Sequence, residues 1–512
     1  MSSPFRRALP ANPDLDQQRK QAKALVRDWR ADHPEAVARV RAVLPDKVSI
    51  TLSDAQFVLA REYGFTNWAA LKEHIEAIEF ARATPLEQVH RSLQQGDIAS
   101  LRRLLTHSPE LRAMINQPVC PFDSPPLVYF ASHQDPAAVE LLLEFGADPN
   151  ARSGWWAGGF HPLHSASPAA AERLLAAGAV PDACAAAHLD RIDLLAPILA
   201  ADPSRVHERG GDGQMPLHFA RSREVVDLLL AAGADIDARD IDHRATAAQW
   251  MLKGRQGAGR YDLARYLVER GAEADIFLAC ALGLTDRARE LVAADSSVLD
   301  LRTNHSPYGE EPPSSFHIYT WTIGQRLSPL QVAAQFEQHD TLAALRQLAS
   351  PRQRFIAACT LADGVDARAM LRAHPEVMAQ LDANDHQALP AAAWSSNAAA
   401  VELMLALGFP LDTPGQDNGT ALHCAAWQGS VACVAALLRH PGGPALLTRR
   451  DATHGGTPLG WCCHGSQHSG NPAADHPAVA RLLLEAGSPI DMGPGDATDE
   501  VEEAIEEWQR HR

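Results

Sequence analysis

Apolar and polar positions in this chain are arranged in a short block that predicts a helix, and the block recurs. Its clearest copy is residues 419–427 (GTALHCAAW). Degraded copies stand at 124–131 (SPPLVYFA), 160–166 (FHPLHSA), 215–220 (MPLHFA), 328–334 (SPLQVAA) and 456–461 (GTPLGW). Such internal repetition predicts a solenoid, in which each unit packs only on its neighbours.

A second apolar block follows several copies and ends in glycine, which predicts a pair of helices in each unit. It reads LLLEFGADP at 141–149, LLAAGA at 174–179, LLLAAGAD at 228–235 and LLLEAG at 482–487. Residues 86–491 would hold about twelve units of roughly 34 residues. Units that begin near 86, 184, 276 and 354 lack the first motif and open with another short helix. The expected fold is therefore an all-α solenoid.

The N-terminal end of the chain does not share the repeat. Residues 1–13 are rich in proline, and we expect them to be mobile. Residues 14–81 show helical spacing and predict a helical cap on the array. Within this cap, Ser53 with Gln56 three residues later has the spacing of a capping box, which predicts a helix that opens at Ser53.

The C-terminal end, residues 496–512, is predicted to be an amphipathic acidic helix. Its apolar stripe has the i, i+3, i+4, i+7 spacing of one helix face and consists of Val501, Ala504, Ile505 and Trp508. The opposite face is rich in carboxylates. Two interpretations follow: a capping helix with a solvated face, or a helix that recruits a partner.

Composition narrows the possible functions. Hydrophobic residues make up 46% of the chain but aromatic residues only 6%, which suits short, closely packed helices. The net charge of −17 repels phosphate backbones, so we expect no nucleic-acid binding. The eight cysteines lack the spacing of a secreted disulfide scaffold and are expected to be reduced thiols. With neither a signal-peptide pattern nor a long apolar run, we expect a cytoplasmic protein without a membrane span.

The repeat motif resembles that of the ankyrin-repeat family. Thr457-Pro458-Leu459 and Pro216-Leu217-His218 match the motif that opens the first helix. The resemblance implies that the motif histidine joins adjacent units by hydrogen bonds. The matching histidines are His164, His218 and His423, and the glycines that follow the second helix are Gly146, Gly178, Gly233, Gly271 and Gly487. The histidine position is instead Val128, Gln331, Gly460 or Pro390 in other units, and with the helical cap this is similar to the divergent bacterial type.

Three aromatic rings occupy equivalent positions in consecutive units. Trp394, Trp427 and His464 each stand five residues after the core leucine of their unit. Equivalent positions of a solenoid form a ladder, and in the ankyrin family this position borders the concave groove. Exposed aromatic rings are typical anchors for a partner. The alternative is that the two tryptophans only pack between units.

Two insertions precede helix-opening motifs and are predicted to overhang the groove. Residues 153–160 (SGWWAGGF) contain Trp155 and Trp156, and His161 follows them. Residues 302–326 form an unusually long loop, and long ordered loops are often functional. Its candidate binding residues are His317, Tyr319 and Trp321, and its weak catalytic candidates are His317, Tyr319, Glu310 and Glu311. Alternatively, this loop folds back and merely covers the array.

Metal and cofactor chemistry has little support in the sequence. A patch near the C-terminus contains His454, Cys462, Cys463, His464, His468 and His476. Adjacent cysteines on a helix point about 100° apart, so they do not readily share one tetrahedral ion. No phosphate loop, dinucleotide fingerprint or nucleophile elbow is evident. We therefore expect no metal site and no cofactor.

Two functional hypotheses follow from these patterns. The first is a binding module that recognises a protein or peptide along its groove and finger loops, because a solenoid offers a long preformed surface. The second is an enzyme or small-molecule binder in which the 302–326 loop closes over the groove and supplies acid–base groups. Burial of His317 and Tyr319 in a polar pocket against Trp155 or Trp394 would favour the second hypothesis.

Overall fold

The computed structural model describes residues 5–10, 13–82, 89, 92, 97–133, 135–252, 259–490 and 496–510. The predicted mobile segment 1–13 therefore lies partly outside the described residues, as do short stretches of the predicted array and the last two residues. Two compact units make up the chain. The terminal unit comprises residues 1–88 and 381–512, and the central unit comprises residues 89–380. The boundary lies inside the predicted array.

The described residues form an all-α solenoid of short helices, as the sequence predicts, and their β-bridges are isolated pairs outside any strand. In the terminal unit the α-helices are Leu15–Arg30, Pro34–Val43, Leu52–Glu62, Trp68–Arg82, Ala383–His386, Ala388–Trp394, Ala398–Leu407, Ala421–Trp427, Val431–Arg439, Pro458–His468, His476–Glu485 and Asp499–Arg510. Its 3₁₀ helices are Gln416–Asn418 and Gly443–Leu446.

The central unit contains the same kind of short helix. Its α-helices are Ile98–His107, Pro109–Ala113, Pro126–Ser132, Pro136–Glu144, Pro168–Ala176, Ala183–His188, Ile192–Ala201, Pro216–Phe219, Arg223–Ala231, Ala247–Trp250, Tyr261–Glu269, Ile276–Leu282, Thr285–Ala294, Tyr319–Thr322, Pro329–Gln335, His339–Leu348, Pro351–Thr360 and Gly364–Ala373. Its 3₁₀ helices are Pro162–His164, Pro203–His207, Gly211–Gly213, Ser296–Asp300 and Pro375–Gln380.

The helix predicted to open at Ser53 instead begins at Leu52. Thr51 is the N-cap, and it forms a capping box with Asp54. Ser53 was the wrong choice because Thr51 and Asp54 have the same three-residue spacing, and Asp is as able as Gln to accept the backbone N–H of the cap.

The motif histidines join adjacent units, as the family resemblance implies. Nε2 of His218 donates to the carbonyl of Ala245 at 3.1 Å, and Nε2 of His423 donates to the carbonyl of Gly456 at 3.2 Å. His164 makes the same link through a side chain, because its Nε2 lies 3.0 Å from the Asp182 carboxylate. Asp182 is the N-cap of the helix Ala183–His188. The histidine thus connects one unit to the helix start of the next.

Glycine ends the second helix of several units for a conformational reason. Gly146, Gly178, Gly233, Gly271 and Gly487 all have a φ between +91° and +108°. A Cβ at any of them would meet no atom within 4 Å, so packing does not exclude a side chain. The left-handed backbone therefore selects glycine, which confirms the predicted helix ends.

The two ends of the chain meet in the terminal unit. On the C-terminal helix, Val501, Ala504 and Ile505 are buried, in agreement with the predicted stripe. Its carboxylates form ion pairs with the first helix, between Lys23 and Glu502 and between Arg19 and Asp499. Part of the acidic face is therefore matched by basic side chains of the chain itself.

Two further observations concern the helix lengths and the cysteines in the part of the chain that the structure describes. None of its helices combines the length and apolar character that a bilayer crossing requires. All eight cysteines are buried free thiols.

Candidate functional site

The three equivalent aromatic positions form one continuous stack in the terminal unit. Trp394 and Trp427 lie nearly parallel, with ring centroids 6.2 Å apart and an interplanar angle of 14°. The ring of His464 follows at 5.4 Å from Trp427. These rings come from the ends of three helices, Ala388–Trp394, Ala421–Trp427 and Pro458–His468. The repeat thus places one ring per unit along the stack.

The stack remains accessible while its base is fixed. Both tryptophans are half-buried and His464 is exposed. Beneath them, Trp461 packs edge-on against Trp427 with centroids 6.0 Å apart, and its indole N–H donates to Asp451 at 2.9 Å. Desolvation, followed by the nearby His468, lowers the pKa of His464. The arrangement is a row of rings on a rigid support, with a neutral imidazole favoured at its end.

The first insertion, residues 153–160, packs onto neighbouring loops of the central unit. Trp155 is half-buried and lies edge-on to Phe122 with centroids 5.0 Å apart. Trp156 remains 45% exposed. A Cβ at Gly158 would lie 2.2 Å from the carbonyl oxygen of Gly210, so only glycine permits this approach. The insertion is therefore a packed element that leaves one tryptophan exposed.

His161 is a helix-capping residue in the central unit. It is buried, and its Nδ1 accepts the backbone N–H of Leu163 at 3.1 Å as a helix cap. Burial, followed by the proximity of His164, lowers its pKa to about 4. Its role in the structure is to begin a helix, which argues against the predicted contact with a partner.

The long loop 302–326 is anchored by a buried polar network around Asp275. The hydroxyl groups of Tyr308 and Tyr319 donate to this carboxylate at 3.1 and 2.8 Å, and Gln249 Nε2 donates to it at 2.8 Å. Asp275 is also the N-cap of the helix Ile276–Leu282. The loop is thus fastened to the helix start of a unit that lacks the usual opening motif.

The electrostatics of this network argue against acid–base catalysis by the predicted residues. His317 is buried against Tyr308 and Tyr319, whereas the enzyme hypothesis expected Trp155 or Trp394 beside it, and burial lowers its pKa to about 3. Burial, followed by the charge of Asp275, raises the pKa of Tyr319 far above its usual value. Neither group changes protonation near neutral pH, where a general acid or base works best.

The remaining loop candidates lie at the surface. Glu310 and Glu311 are exposed, and Glu311 forms an ion pair with Arg244. Trp321 is 54% exposed and lies edge-on to His243, with centroids 4.8 Å apart. Of the loop candidates, Trp321 is the aromatic ring that is open to a partner.

Near these rings lies a polar cluster that the sequence interpretation missed. Oxygen atoms of Asp212 and Asp242 and a ring nitrogen of His243 all lie within 4.8 Å of one another. Burial raises the pKa of Asp212 to about 6; Asp242 and Asp240 act in the same direction and His243 opposes them. These residues come from two different repeat copies and resemble ordinary finger loops. The signal available in the sequence was the run DIDH at 240–243.

The cysteine and histidine patch near the C-terminus is part of the packing of the terminal unit. Cys462 and Cys463 are buried, and the Cys462 thiol lies 3.4 Å from the carbonyl of His476. His476 in turn places Nε2 at 2.9 Å from the carbonyl of Trp427. His464 and His468 lie outside this core, with ring centroids 4.4 Å apart.

Comparison with known proteins supports the repeat assignment. The ankyrin repeat family model matches residues 212–241 in the central unit and residues 417–452 in the terminal unit. A search of curated proteins finds no significant match. Together with the linked motif histidines and the left-handed glycines, the two matched segments support the placement of this helical solenoid among ankyrin-repeat proteins.

Proposed function

We propose that this protein is a cytosolic binding module that recognises a protein or peptide partner, with the ring stack of Trp394, Trp427 and His464 as its anchor. The observation that carries the proposal is this stack, which presents half-exposed rings from three consecutive units on a fixed support. Tryptophan is enriched among the residues that dominate binding energy at protein interfaces.

The partner that suits this stack is a segment with basic and aromatic side chains. Indole faces attract cations and stack with other rings. The net charge of −17 adds long-range attraction for a basic segment. Trp156 and Trp321 also remain exposed, and we assign them to a second surface of the central unit that a short peptide bound to the stack does not need. Burial of His161, His317 and Tyr319 removes these three from the contact surface that we propose.

The enzyme hypothesis receives less support from the geometry. Its acid–base candidates in the 302–326 loop are either buried in the Asp275 network or exposed and paired, as Glu311 is with Arg244. A binding surface requires only the exposed rings that the structure provides. We therefore favour recognition of a partner over catalysis.

A peptide-display selection on the full-length protein tests this proposal. An enriched peptide is synthesised, and its Kd is measured by fluorescence anisotropy for the wild type and for Trp394→Ala/Trp427→Ala. We expect basic and aromatic residues in the peptide and at least a tenfold weaker Kd for the double variant, since each hot-spot residue contributes more than about 1 kcal/mol.

The variant Trp321→Ala is the matched control, because it removes an exposed ring from the central unit. We expect it to bind the same peptide with an unchanged Kd. Circular dichroism melts confirm that both variants fold. An unchanged Kd for the folded double variant would overturn the assignment of the stack, and loss of binding in Trp321→Ala alone would move the site to the loops.

A further inference from the structure

The polar cluster of Asp212, Asp242 and His243 lies where three loops of the central unit converge. Asp212 belongs to the turn Gly211–Gly213 of one unit, and Asp242 and His243 belong to the corresponding finger of the next. The loop 302–326 covers both, since the backbone N–H of Ser315 donates to Asp242 at 3.0 Å. Gly158 of the first insertion packs closely against Gly213 in the turn that contains Asp212, so both insertions meet around this cluster.

We propose that Asp212, Asp242 and His243 bind a divalent transition-metal ion such as Zn²⁺ or Mn²⁺. Two carboxylates and one imidazole form a donor set that both ions accept. Nε2 of His243 lies 3.7 Å from Oδ2 of Asp242. Ligand atoms that share one ion at about 2.1 Å lie roughly 3–4 Å apart, so this pair already has a suitable separation. Three protein ligands leave coordination positions for water.

The histidine is oriented as metal-binding histidines usually are. Its Nδ1–H donates to the backbone carbonyl of Phe316 at 2.9 Å, which directs the Nε2 lone pair towards the carboxylates. Hydrogen bonds of this kind to the second ring nitrogen fix the tautomer and the ring orientation of metal ligands. Ser315 performs the equivalent task for Asp242, because it occupies Oδ1 and leaves Oδ2 facing His243.

The backbone holds the third ligand rigidly. Asp212 has a φ of +57°, in the left-handed region. Its carbonyl accepts the N–H groups of both Ile241 and Asp242, at 3.0 and 3.1 Å, which fixes one finger against the next. Aspartate tolerates this conformation, and Asp417 adopts it in the equivalent turn of the terminal unit, so the turn geometry comes from the repeat itself.

The carboxylates of this cluster lack lysine or arginine partners in the part of the chain that the structure describes, which favours binding of a cation. Among the described residues, neither Asp212 nor Asp242 forms an ion pair with Lys or Arg. The nearby guanidinium groups are directed elsewhere: Arg244 binds Glu311, and Arg209 and Arg239 donate to backbone carbonyls. The side chains of His243 and Asp242 are only 12% and 5% exposed, so the Nε2 lone pair and the carboxylate face each other with little access to water.

A second group of potential ligands, His164, Asp182 and Cys184, does not compete with this assignment. Asp182 is engaged by His164, by Arg152 and by the helix N-terminus at Ala185. Its charge is balanced by protein groups alone. We therefore interpret that cluster as the structural link between repeat units described above.

Binding of Co²⁺ to the full-length, chelator-treated protein tests the proposal. Co²⁺ reports on protein ligands through its visible absorption, and Zn²⁺ should displace it. We expect one ion per chain, and at least a tenfold loss of affinity in Asp212→Asn and in Asp242→Asn, which keep the shape of each side chain. Failure of the wild type to bind Co²⁺ or Zn²⁺ at this stoichiometry would overturn the proposal.

The variant His464→Gln/His468→Gln is the matched control, because its exposed histidine pair is the alternative site for adventitious metal. We expect unchanged affinity in this variant; loss of binding here, with retention in Asp212→Asn, would contradict the assignment. If the aspartate variants do not fold, quenching of tryptophan fluorescence by Co²⁺ locates the bound ion instead. Trp321 and Trp250 both contact His243, whereas Trp394 contacts Trp427, so Trp321→Phe should reduce the quenching more than Trp394→Phe does. The reverse order would place the ion elsewhere.

Discussion

The aromatic stack of the terminal unit and the Asp275 network of the central unit each contain side chains that seemed functional in the sequence, such as Trp427 and Tyr319, yet they differ in what those side chains contact. In the stack, Trp394 and Trp427 contact other rings and keep exposed faces. In the network, the Tyr308 and Tyr319 hydroxyls are satisfied by Asp275. An aromatic residue in an insertion can therefore serve as an anchor for the loop rather than for a partner.

The largest effect that would test this comparison is expected for Asp275→Ala. This change removes the acceptor of three side chains and the cap of the helix Ile276–Leu282, and it takes away the carboxylate that the buried Tyr319 hydroxyl binds. We expect a loss of about 3–5 kcal/mol in unfolding free energy. Urea denaturation followed by circular dichroism measures it. A loss below about 1 kcal/mol would show that the network does not hold the loop.

The second largest effect concerns the dependence of the unfolding free energy on pH. The folded-state pKa of His317 is lowered to about 3, whereas the unfolded value is about 6.5. The folded state therefore disfavours protonation, so its stability is complete above about pH 6.5 and falls as the pH decreases towards 3. Between pH 7 and pH 4 we expect this residue to account for a loss of roughly 3 kcal/mol.

The variant His317→Gln isolates that contribution, because it keeps a polar side chain that does not titrate. We expect its stability to depend less on pH between 7 and 4 than that of the wild type, as measured by urea denaturation at each pH. Equal slopes would mean that His317 is accessible to solvent, and the contrast with the exposed stack would fail.

Removal of one hydroxyl gives a smaller effect and resolves the network further. Tyr319→Phe keeps the buried ring and removes a hydrogen bond to a carboxylate, which contributes about 1.5–3 kcal/mol. Tyr308→Phe should cost less, because its hydrogen bond of 3.1 Å is longer than the 2.8 Å of Tyr319. Thermal melting of both variants shows which of them loses more stability. A reversed order would identify Tyr308 as the main anchor.

Features that recur with the repeat could be predicted from the sequence. Features that depend on contacts between different repeat units could not. His218 and His423 were recognised because their motif recurs, and the position of Trp427 relative to Trp394 followed from equal spacing within the repeat. In contrast, the partner of Tyr319 is Asp275, 44 residues away in an atypical unit. No local pattern distinguishes that carboxylate from an ordinary helix cap.

The polar cluster of the fingers was missed for a related reason. Asp212 lies in a GDG turn and His243 in another loop, and each sequence is typical of a surface turn. Their proximity depends on hydrogen bonds from Ile241 and Asp242 to the Asp212 carbonyl, which only the fold of adjacent fingers creates. Side chains that face one another from different repeat units leave no periodic pattern within either repeat unit.

The smallest expected effect belongs to the stack, and it sharpens the contrast most directly. Trp394→Phe keeps an aromatic ring on Trp427 and removes part of a half-buried surface, so we expect a stability loss of about 0.5–1.5 kcal/mol. Urea denaturation measures this loss, and Leu389→Ala, in the core of the same helix, is the control with an expected loss of about 2–5 kcal/mol. If Trp394→Phe were as costly as Leu389→Ala, the ring would be a core element of the repeat. In that case the exposed face of Trp394 would not indicate a binding role, and the ring stack would be a structural element like the Asp275 network.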